Sequence, residues 1–564
     1  MSSRPNLRTT HVATTPPAST ATGAIPIWLV AVLLVVLGVV VPLLIAHHFG
    51  ALGIARGDDV AYLSSAFRFV DHGTIKGSHW AAMSLVGQII AAAPVVAMAG
   101  HRITALQIET AAIGFVGLWA VFDLARQVLS LRRAAFVAAL VAVNPLWLQL
   151  APTFMTDIPA FSLAMASLAL GARSVRSERH RGALVAASLA VGFAGFTIRE
   201  FAIVAPIAVA MVSIALAGRR RERMVPVFGV SVLVLAVVLF FAWRRGLPGF
   251  TEQHLTIPTS TSVRKTTTRF AQSLLLLGVM VSPALILARP LRLVRASWAR
   301  AHVTTAVVVG GVAAVALVEA FVSDNAGGFI TPDHYNSNQW TLGEGYNALL
   351  PSEIAVFLKL VGVLAVAVML CAVIPAVVDA IASVRDRELR VTHSPVTAIV
   401  ALGALGYVAV YLASSLVGVS FFSRYLLSIV PLVAILVLAG QRVEEPARHV
   451  AGSVAIASLV VLGTLGAAAA AATASLDGTK WTVAEDAAEV VGGKRLVDGS
   501  FEWNNIRLGE VRYFTRRPPG TCVRLRRESA PPSGASVVAS EKVWTVGTDL
   551  WVVARRTGNC PDSS

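Results

Sequence analysis

The sequence predicts an all-α polytopic membrane protein with about thirteen transmembrane helices and a small extracytoplasmic α/β domain at its C-terminal end. Three observations predict this fold class. Hydrophobic residues make up 56% of the 564 residues and charged residues only 14%, whereas soluble proteins contain about 25% charged residues. Apolar runs of roughly 20 residues, the length that crosses a bilayer, recur along the chain. A polar tail of about 90 residues, large enough for a small domain, follows the last run.

The first 26 residues are polar and contain Arg4 and Arg8, which predicts a disordered cytoplasmic arm. The apolar run 27–46 is longer than a signal-peptide core, and no small-x-small cleavage site follows it closely, so we predict an uncleaved anchor. Residues 27–473 then form the transmembrane domain and residues 474–564 the C-terminal domain. The predicted spans are 27–46, 103–125, 133–150, 158–173, 183–198, 201–217, 224–243, 271–288, 302–322, 353–376, 395–416, 424–440 and 450–472.

The formal charge of +16 comes largely from arginines in short loops between the apolar runs. That distribution matches the positive-inside bias, and no interleaved basic and aromatic surface indicates nucleic-acid binding. The arginine loops and the N-terminal arm share the cytoplasmic side only if the apolar stretch 80–100 does not cross the membrane. We therefore predict a re-entrant or interfacial element there, kinked at Pro94. In the alternative, the stretch crosses and the arm breaks the rule.

With this topology, residues 47–102 form one external loop that begins with two adjacent acids, Asp58 and Asp59. Apolar residues recur from Tyr62 to Val70 at helical spacing, which predicts a short amphipathic helix on the membrane surface. The external face also carries Asp157, Arg199 and Arg424. Acidic groups held at a membrane face are costly and usually functional, so the chemistry is expected outside.

Each of these residues has an ordinary structural explanation beside the functional one. Asp157 precedes Pro159 and suits a helix N-cap. Arg199 could snorkel or pair with its neighbour Glu200. The functional alternative is that a carboxylate accepts a proton from an incoming hydroxyl while arginines hold a phosphate leaving group. The candidate cations are Arg199, Arg424 and Arg56.

The loop 323–352 is rich in amides and aromatics, a composition that suits the recognition of sugar hydroxyls; an ordinary flexible loop is the alternative. Its candidate substrate residues are Asp333, His334, Tyr335, Glu344 and Tyr346. Cys371 lies in an apolar run, whereas Cys522 and Cys560 share the polar tail. An external tail predicts a disulfide between the two, with free thiols as the alternative. Alternating apolar residues such as Val543–Val553 predict strands in this tail.

The order of the motifs resembles the GT-C glycosyltransferases over residues 50–440, especially their bacterial branch similar to protein mannosyltransferases and the lipid A aminoarabinose transferase. The motifs are the acid pair with a nearby tyrosine, Arg-Arg opening a span that ends in Asn144-Pro145, Met155-Thr156-Asp157-Ile158-Pro159, a basic residue at the outer end of a later span, and Arg424-Tyr425-Leu426-Leu427 with Pro431. The resemblance implies an inverting transfer of sugar from a polyprenyl phosphate, on the extracytoplasmic face of the plasma (inner) membrane, to a glycan, lipid or protein acceptor.

By the same resemblance, Asp58 and Asp59 are the catalytic acids, with Asp58 as base and Asp59 in the place usually held by Glu. Asp157 matches an acid that binds metal or acceptor, and Arg199 a residue that contacts the donor phosphate. The cofactor stays unknown, because no His/Glu pair is clearly placed for a divalent metal and the sequence does not require one. A lipid or glycan transporter and a non-catalytic scaffold are the rival functions. In a transferase, Asp58 and Asp157 should converge near Arg199, whereas in a transporter polar residues should line a path through the membrane.

Overall fold

The computed structural model of the protein describes residues 26–77, 83–217, 220–250, 256–300, 310–312, 314–315, 352–386, 394–419, 423–440, 449–508, 520–547, 549–558 and 560. The predicted N-terminal arm lies almost entirely outside these residues. So do nearly all of the predicted span 302–322 and the whole candidate substrate group Asp333, His334, Tyr335, Glu344 and Tyr346.

Helices dominate the described chain. They are α1 (Ile27–His48, with a π-helical turn at Val36–Val40), α2 (Asp59–His72), α3 (Val86–Ala99), α4 (Ile103–Arg126), α5 (Leu131–Ala142), α6 (Pro145–Leu150), α7 (Asp157–Ser174), α8 (Arg181–Ile198), α9 (Val204–Leu216), α10 (Arg220–Arg245), α11 (Ser260–Leu287), α12 (Pro290–Arg300), α13 (Ser352–Asp386), α14 (Pro395–Leu416), α15 (Val430–Ala439), α16 (His449–Val491) and α17 (Phe501–Leu508). Short 3₁₀ turns at Glu200–Ile203 and Ser423–Ser428 precede α9 and α15.

Eight helices in the described residues are long and apolar enough to cross a membrane, which makes the chain a multi-pass membrane protein. The thirteen full-length spans expected from the sequence are not all present as single helices. The run 133–150 is divided between α5 and α6, because the Asn144 side chain accepts the Leu146 N–H at 2.9 Å and Pro145 opens the second helix. Proline lacks an N–H and is favoured at a first helical position, so this pair starts a new helix rather than continuing the old one.

The first loop folds into a helical hairpin of α2 and α3. The Leu85 N–H, at the start of α3, donates to the Ile198 carbonyl at the end of α8 (3.1 Å). Beyond the other end of α3, His101 lies 2.9 Å from the Asp71 carboxylate at the end of α2 and stacks on Phe67. With 14 residues, α3 is about 21 Å long, which is less than the roughly 30 Å of a bilayer core. Its length therefore suits the predicted re-entrant element, and Pro94 lies inside it as expected.

The buried centre of the transmembrane domain is formed by α7 and α15. Helix α7 packs against α4, α8, α9 and α14, and α15 is buried from Val430 to Leu438. Helix α7 begins at Asp157, and the 3₁₀ turn that carries Arg424 immediately precedes α15. The tight packing of these helices fixes the position of those side chains.

The C-terminal domain is continuous with the last span. Helix α16 runs 43 residues, so the domain boundary expected at residue 473 lies within it. Beyond it, β1 (Val497–Asp498), β2 (Val523–Glu528), β3 (Val537–Lys542) and β4 (Trp551–Arg556) form a sheet in the order β1-β2-β4-β3. Only the β1–β2 pair is parallel. The Val543–Val553 run, expected as one strand, divides into the β3–β4 connection and the start of β4, where the Val543 N–H donates to the Leu550 carbonyl.

A disulfide joins Cys522 to Cys560, with the Cα atoms 5.1 Å apart. Cys522 immediately precedes β2, and its backbone contacts Leu496 and Thr557. The bond therefore fastens the end of the described chain to the sheet.

Candidate functional site

The loop that carries Asp58 is fixed to the start of α4. The Gln107 side chain accepts the Gly53 N–H at 2.7 Å and donates to the Ile54 carbonyl at 3.0 Å. Gly57 has a φ of 57°, a left-handed conformation that glycine adopts without steric cost. Asp58 precedes α2, and its carboxylate makes no capping bond to that helix. It is therefore available to another part of the chain.

Asp157 lies in the first turn of α7 and is buried, with 2% of its surface exposed. Thr156, not Asp157, is the N-cap residue of the helix. A carboxylate in the first turn is stabilised by the helix dipole, but that alone does not offset the cost of burying a charge. Two arginines from distant parts of the chain supply the remaining compensation.

Arg199 is the first of these arginines. Its Nη1 donates to Asp157 Oδ2 at 2.9 Å and to Thr156 Oγ1 at 2.6 Å, and its Nη2 donates to the Tyr425 hydroxyl at 2.7 Å. The guanidinium also lies over the Tyr425 ring, 4.7 Å from its centroid. The neighbouring Glu200 instead accepts from the Ser84 hydroxyl at 2.8 Å. The alternative in which Glu200 holds Arg199 is therefore not the arrangement in this structure.

Arg424 is the second arginine and bridges the two acids. Its Nη2 lies 3.2 Å from Asp58 Oδ2, and its Nε lies 3.6 Å from Asp157 Oδ1. Arg424 is 1% exposed, whereas the Asp58 side chain is 17% exposed and is the most accessible of the four charged groups. Asp58, Asp157, Arg199 and Arg424 thus form one cluster, which we call the charged site.

Asp59 has different surroundings from Asp58. It is fully buried, and its two carboxylate oxygens accept the backbone N–H groups of Arg56 (2.5 Å) and Phe154 (3.4 Å). Burial raises the pKa of the Asp59 carboxyl well above its ordinary range. These contacts connect the first loop to the segment before α7. They therefore fix the position of Asp58 relative to Asp157.

Two further residues have surroundings that the sequence did not predict. Tyr62, placed on an apolar helix face and beside the acid pair in the motif, is fully buried; its pKa is raised by burial, and Asp58, Arg199, Arg424 and Asp157 are its charged neighbours. Its place beside the acid pair in the motif was the available signal. Arg56, a candidate for the donor phosphate, instead pairs with Asp477 of α16 through Nε at 2.9 Å.

The described residues do not fit a divalent metal. Nowhere in the described part of the chain do three His, Cys, Asp or Glu side chains gather closely enough to hold one. The converging carboxylates of Asp58 and Asp157 face two guanidinium groups, which take the place of a cation's charge.

One segment of the chain is similar to a known protein family. Residues 86–243, from α3 to near the end of α10, match the family described as dolichyl-phosphate-mannose-protein mannosyltransferase. This segment contains Asp157 and Arg199. No curated protein matched the chain.

Three solved structures show low similarity to this chain. ArnT from Cupriavidus metallidurans in the apo state is 15% identical, with 93% of this chain and 97% of that chain covered and a TM-score of 0.40. The same protein bound to undecaprenyl phosphate gives 14% identity, 95% and 100% coverage and a TM-score of 0.37. The Archaeoglobus fulgidus oligosaccharyltransferase in complex with Zn and sulfate gives 12% identity, with 81% of this chain and 55% of that chain covered and a TM-score of 0.43.

The sequence match covers the helices that carry Asp157 and Arg199, and it includes the motifs at Asn144-Pro145 and Met155–Pro159. The acid pair Asp58 and Asp59 and the Arg424 motif lie outside it. The match over residues 86–243 thus confirms the resemblance of this chain to the GT-C superfamily of membrane glycosyltransferases.

Proposed function

We propose that the protein transfers a sugar from a polyprenyl-phosphate donor to a hydroxyl acceptor on the extracytoplasmic face of the plasma (inner) membrane. The observation that carries this proposal is the convergence of Asp58, Asp157, Arg199 and Arg424 in the charged site. These residues come from four separate elements, and each lies at the end of a helix or in a turn beside one. We propose that these helix ends lie at headgroup depth, where a lipid phosphate would reach them.

Asp58 is the residue best placed to act as general base. Its carboxylate is the most exposed of the charged site, so an acceptor hydroxyl can reach it. The acceptor oxygen attacks the anomeric carbon of the sugar while its proton passes to Asp58. The bond from that carbon to the phosphate oxygen breaks, and polyprenyl phosphate leaves with the electron pair. This single displacement inverts the anomeric centre, and positioned bases contribute about 10² to 10⁴ in rate.

Arg199 and Arg424 are the proposed ligands of the donor phosphate. A guanidinium can donate two parallel hydrogen bonds to phosphate oxygens and offset the charge that develops on the leaving group. Both arginines are buried and contact carboxylates in this structure. We propose that donor binding exchanges one of those contacts for a phosphate oxygen, while Asp157 keeps the two arginines side by side. Asp157 would then organise the phosphate site rather than bind a metal.

Asp59 holds the loop in this account and is not a second base. Both of its oxygens are engaged by backbone N–H groups, and it is fully buried. A base must come within hydrogen-bond reach of the proton that it abstracts, and Asp59 has no such access in the described structure.

The transporter alternative receives less support from this arrangement. The discriminating expectation was that a transferase brings Asp58 and Asp157 together near Arg199, and in the structure one arginine bridges the two acids while Arg199 bonds Asp157. A transport path would instead place polar groups along the interior of the spans. The charged site therefore favours transfer over transport.

The proposal is tested by supplying membranes that contain the protein with polyprenyl phosphates that carry different radiolabelled sugars. We expect one label to move from the organic-soluble donor to a glycan, lipid or protein fraction, and membranes without the protein to leave all labels on the donor. Uptake of label into vesicles with no covalent transfer would contradict the proposal and indicate transport. Mass analysis of the labelled fraction would identify the sugar and the acceptor.

A further inference from the structure

The turn that presents Asp58 is held on its other side by the C-terminal domain. Arg56 Nε lies 2.9 Å from Asp477 Oδ2 on α16. The Gly57 N–H donates to Glu502 Oε1 on α17 at 3.2 Å. Lys480, one turn beyond Asp477, lies 2.9 Å from Asp477 Oδ1 and 3.6 Å from Glu502 Oε1. We call these five residues, Arg56, Gly57, Asp477, Lys480 and Glu502, the loop clamp.

The charged side chains of the loop clamp are almost completely buried, with between 1% and 4% of each exposed. Two of them are cations and two are anions, so each charge has a buried partner. Buried ion pairs usually contribute little more to stability than well-packed apolar residues would, because desolvation offsets their attraction. A contribution to folding stability is therefore a poor explanation for this cluster. Its directional contacts instead hold the loop in one position.

The position that the loop clamp defines is that of Asp58. Gly57 is the residue immediately before it, so the two Cα atoms are about 3.8 Å apart. The Asp59 side chain and the Asp59 N–H both bond to the Arg56 backbone and close the same turn from within. The turn is thus held from the transmembrane side by Asp59 and from the C-terminal domain by Glu502 and Asp477.

We infer that the C-terminal domain sets the position of Asp58 in the active site, with Glu502 and Asp477 as positioning residues. The inference rests on the proposed function, in which Asp58 is the base. A displacement of about 1 Å at a reacting group can lower a rate by about a hundredfold. The C-terminal domain therefore contributes to the geometry of the active site.

Glu502 offers the sharpest test, because one substitution removes the contact and another preserves it. Glu502→Ala removes the acceptor of the Gly57 N–H. Glu502→Gln keeps an amide oxygen for that N–H, and its amide nitrogen can donate to the Ser500 hydroxyl, which contacts Glu502 Oε2 at 2.8 Å. The ion pair between Lys480 and Asp477 remains in both variants. Glu528→Ala is the matched control, because Glu528 pairs with Arg555 within the sheet of the same domain.

We expect Glu502→Ala to lower kcat at least about tenfold with little change in the donor KM, because the base is displaced but the phosphate site is intact. Glu502→Gln should retain kcat to within about threefold, and Glu528→Ala should leave both constants unchanged even where it lowers the melting temperature. Hydrogen exchange of peptides covering residues 53–60 should be faster in Glu502→Ala than in the other variants. This exchange measurement does not depend on catalysis.

A Glu502→Ala protein with unchanged kcat and unchanged exchange in residues 53–60 would overturn the inference. Equal losses in Glu502→Ala and Glu528→Ala would overturn it as well, since they would indicate a general effect of domain stability. If Asp58→Asn retains activity, the base assignment fails, whereas the exchange rates still decide whether the domain holds this turn. The two failures are therefore distinguishable.

Discussion

Asp58 and Asp59 are adjacent in the chain, but their carboxylates have different partners. Asp58 lies 3.2 Å from Arg424 and is partly exposed, whereas Asp59 is fully buried and accepts two backbone N–H groups. One acid therefore faces the charged site and the other fastens the loop that presents it. Adjacent residues of the same type thus provide a natural pair of test and control positions.

The buried carboxyl of Asp59 gives a pH dependence of stability. Because burial raises its folded pKa above the ordinary value of 3.8, its contribution to stability is fully present below the unfolded pKa and is lost as pH rises through the folded pKa. The asparagine side chain of the Asp59→Asn variant does not titrate in this pH range. We expect the stability of wild type relative to Asp59→Asn to be greatest in acid and to decline as the pH rises. Thermal unfolding in detergent across this range measures the difference, and a difference independent of pH would contradict the assignment.

Arg199 should affect donor binding in a graded manner. Lysine keeps the positive charge but loses the planar fork that contacts Asp157, Thr156 and Tyr425. We expect the donor dissociation constant to increase from wild type to Arg199→Lys and again to Arg199→Ala, with about 1.5–3 kcal/mol lost for each charge-assisted hydrogen bond to the phosphate. Titration of purified protein with a polyprenyl phosphate measures the series.

Glu200→Gln is the matched control for this series, since Glu200 accepts from Ser84 and does not pair with Arg199 in the structure. It should leave the donor constant unchanged. If Arg199→Ala lowers the melting temperature but binds the donor as wild type does, Arg199 is a structural residue and not a ligand of the phosphate.

Sequence patterns predicted the helices well where an apolar run and its end signals agreed. Helices α4, α8 and α14 begin and end within a few residues of the expected spans. The breaks were harder to predict, because Asn144-Pro145 interrupts an apolar run through a local cap that hydrophobicity does not reveal. The expected boundary at residue 473 lies inside α16, because this helix continues from the last apolar run into the polar tail.

The members of the charged site could be named from the sequence, but their pairing could not. Arg199 had two candidate explanations, and only the packing of α7 against α8 decides between Asp157 and Glu200. Arg56 was grouped with the candidate phosphate ligands because of its place on the external face near the first span, whereas in the structure it contacts Asp477, more than 400 residues away in the sequence. The signal for that contact was the pair Asp477 and Lys480, two opposite charges one helical turn apart.

The segment between residues 78 and 101 should remain on the external side. Helix α3 starts beside Ile198 and ends near Asp71, which lies at the end of α2 in the same loop. We expect single cysteines at Ser78 and His101, in a Cys371→Ser background, both to react with an impermeant thiol reagent added from outside. Reaction of only one of the two would show that the segment crosses the membrane.

The disulfide should stabilise the C-terminal domain. Cys522 and Cys560 are 38 positions apart in the sequence. For a loop of this length, the chain-entropy relation gives a stabilisation of roughly 4 kcal/mol. Cys522→Ser should therefore lower the melting temperature of the domain. Peptide mapping under non-reducing conditions should recover the two cysteines of the native protein linked to each other, and two alkylated free thiols would contradict the pairing.

The central claim is that Asp58 is the base, and the most direct measurement compares single-turnover sugar transfer by Asp58→Asn and Asp59→Asn at saturating donor. Both changes replace one carboxylate by an amide of nearly the same size at neighbouring positions. We expect Asp58→Asn to fold normally and to transfer sugar at least about a hundredfold more slowly. Asp59→Asn keeps one amide oxygen as an acceptor for the turn, so we expect it to lose no more than about tenfold in rate and to have a lower melting temperature. Wild-type transfer by folded Asp58→Asn protein would contradict the account.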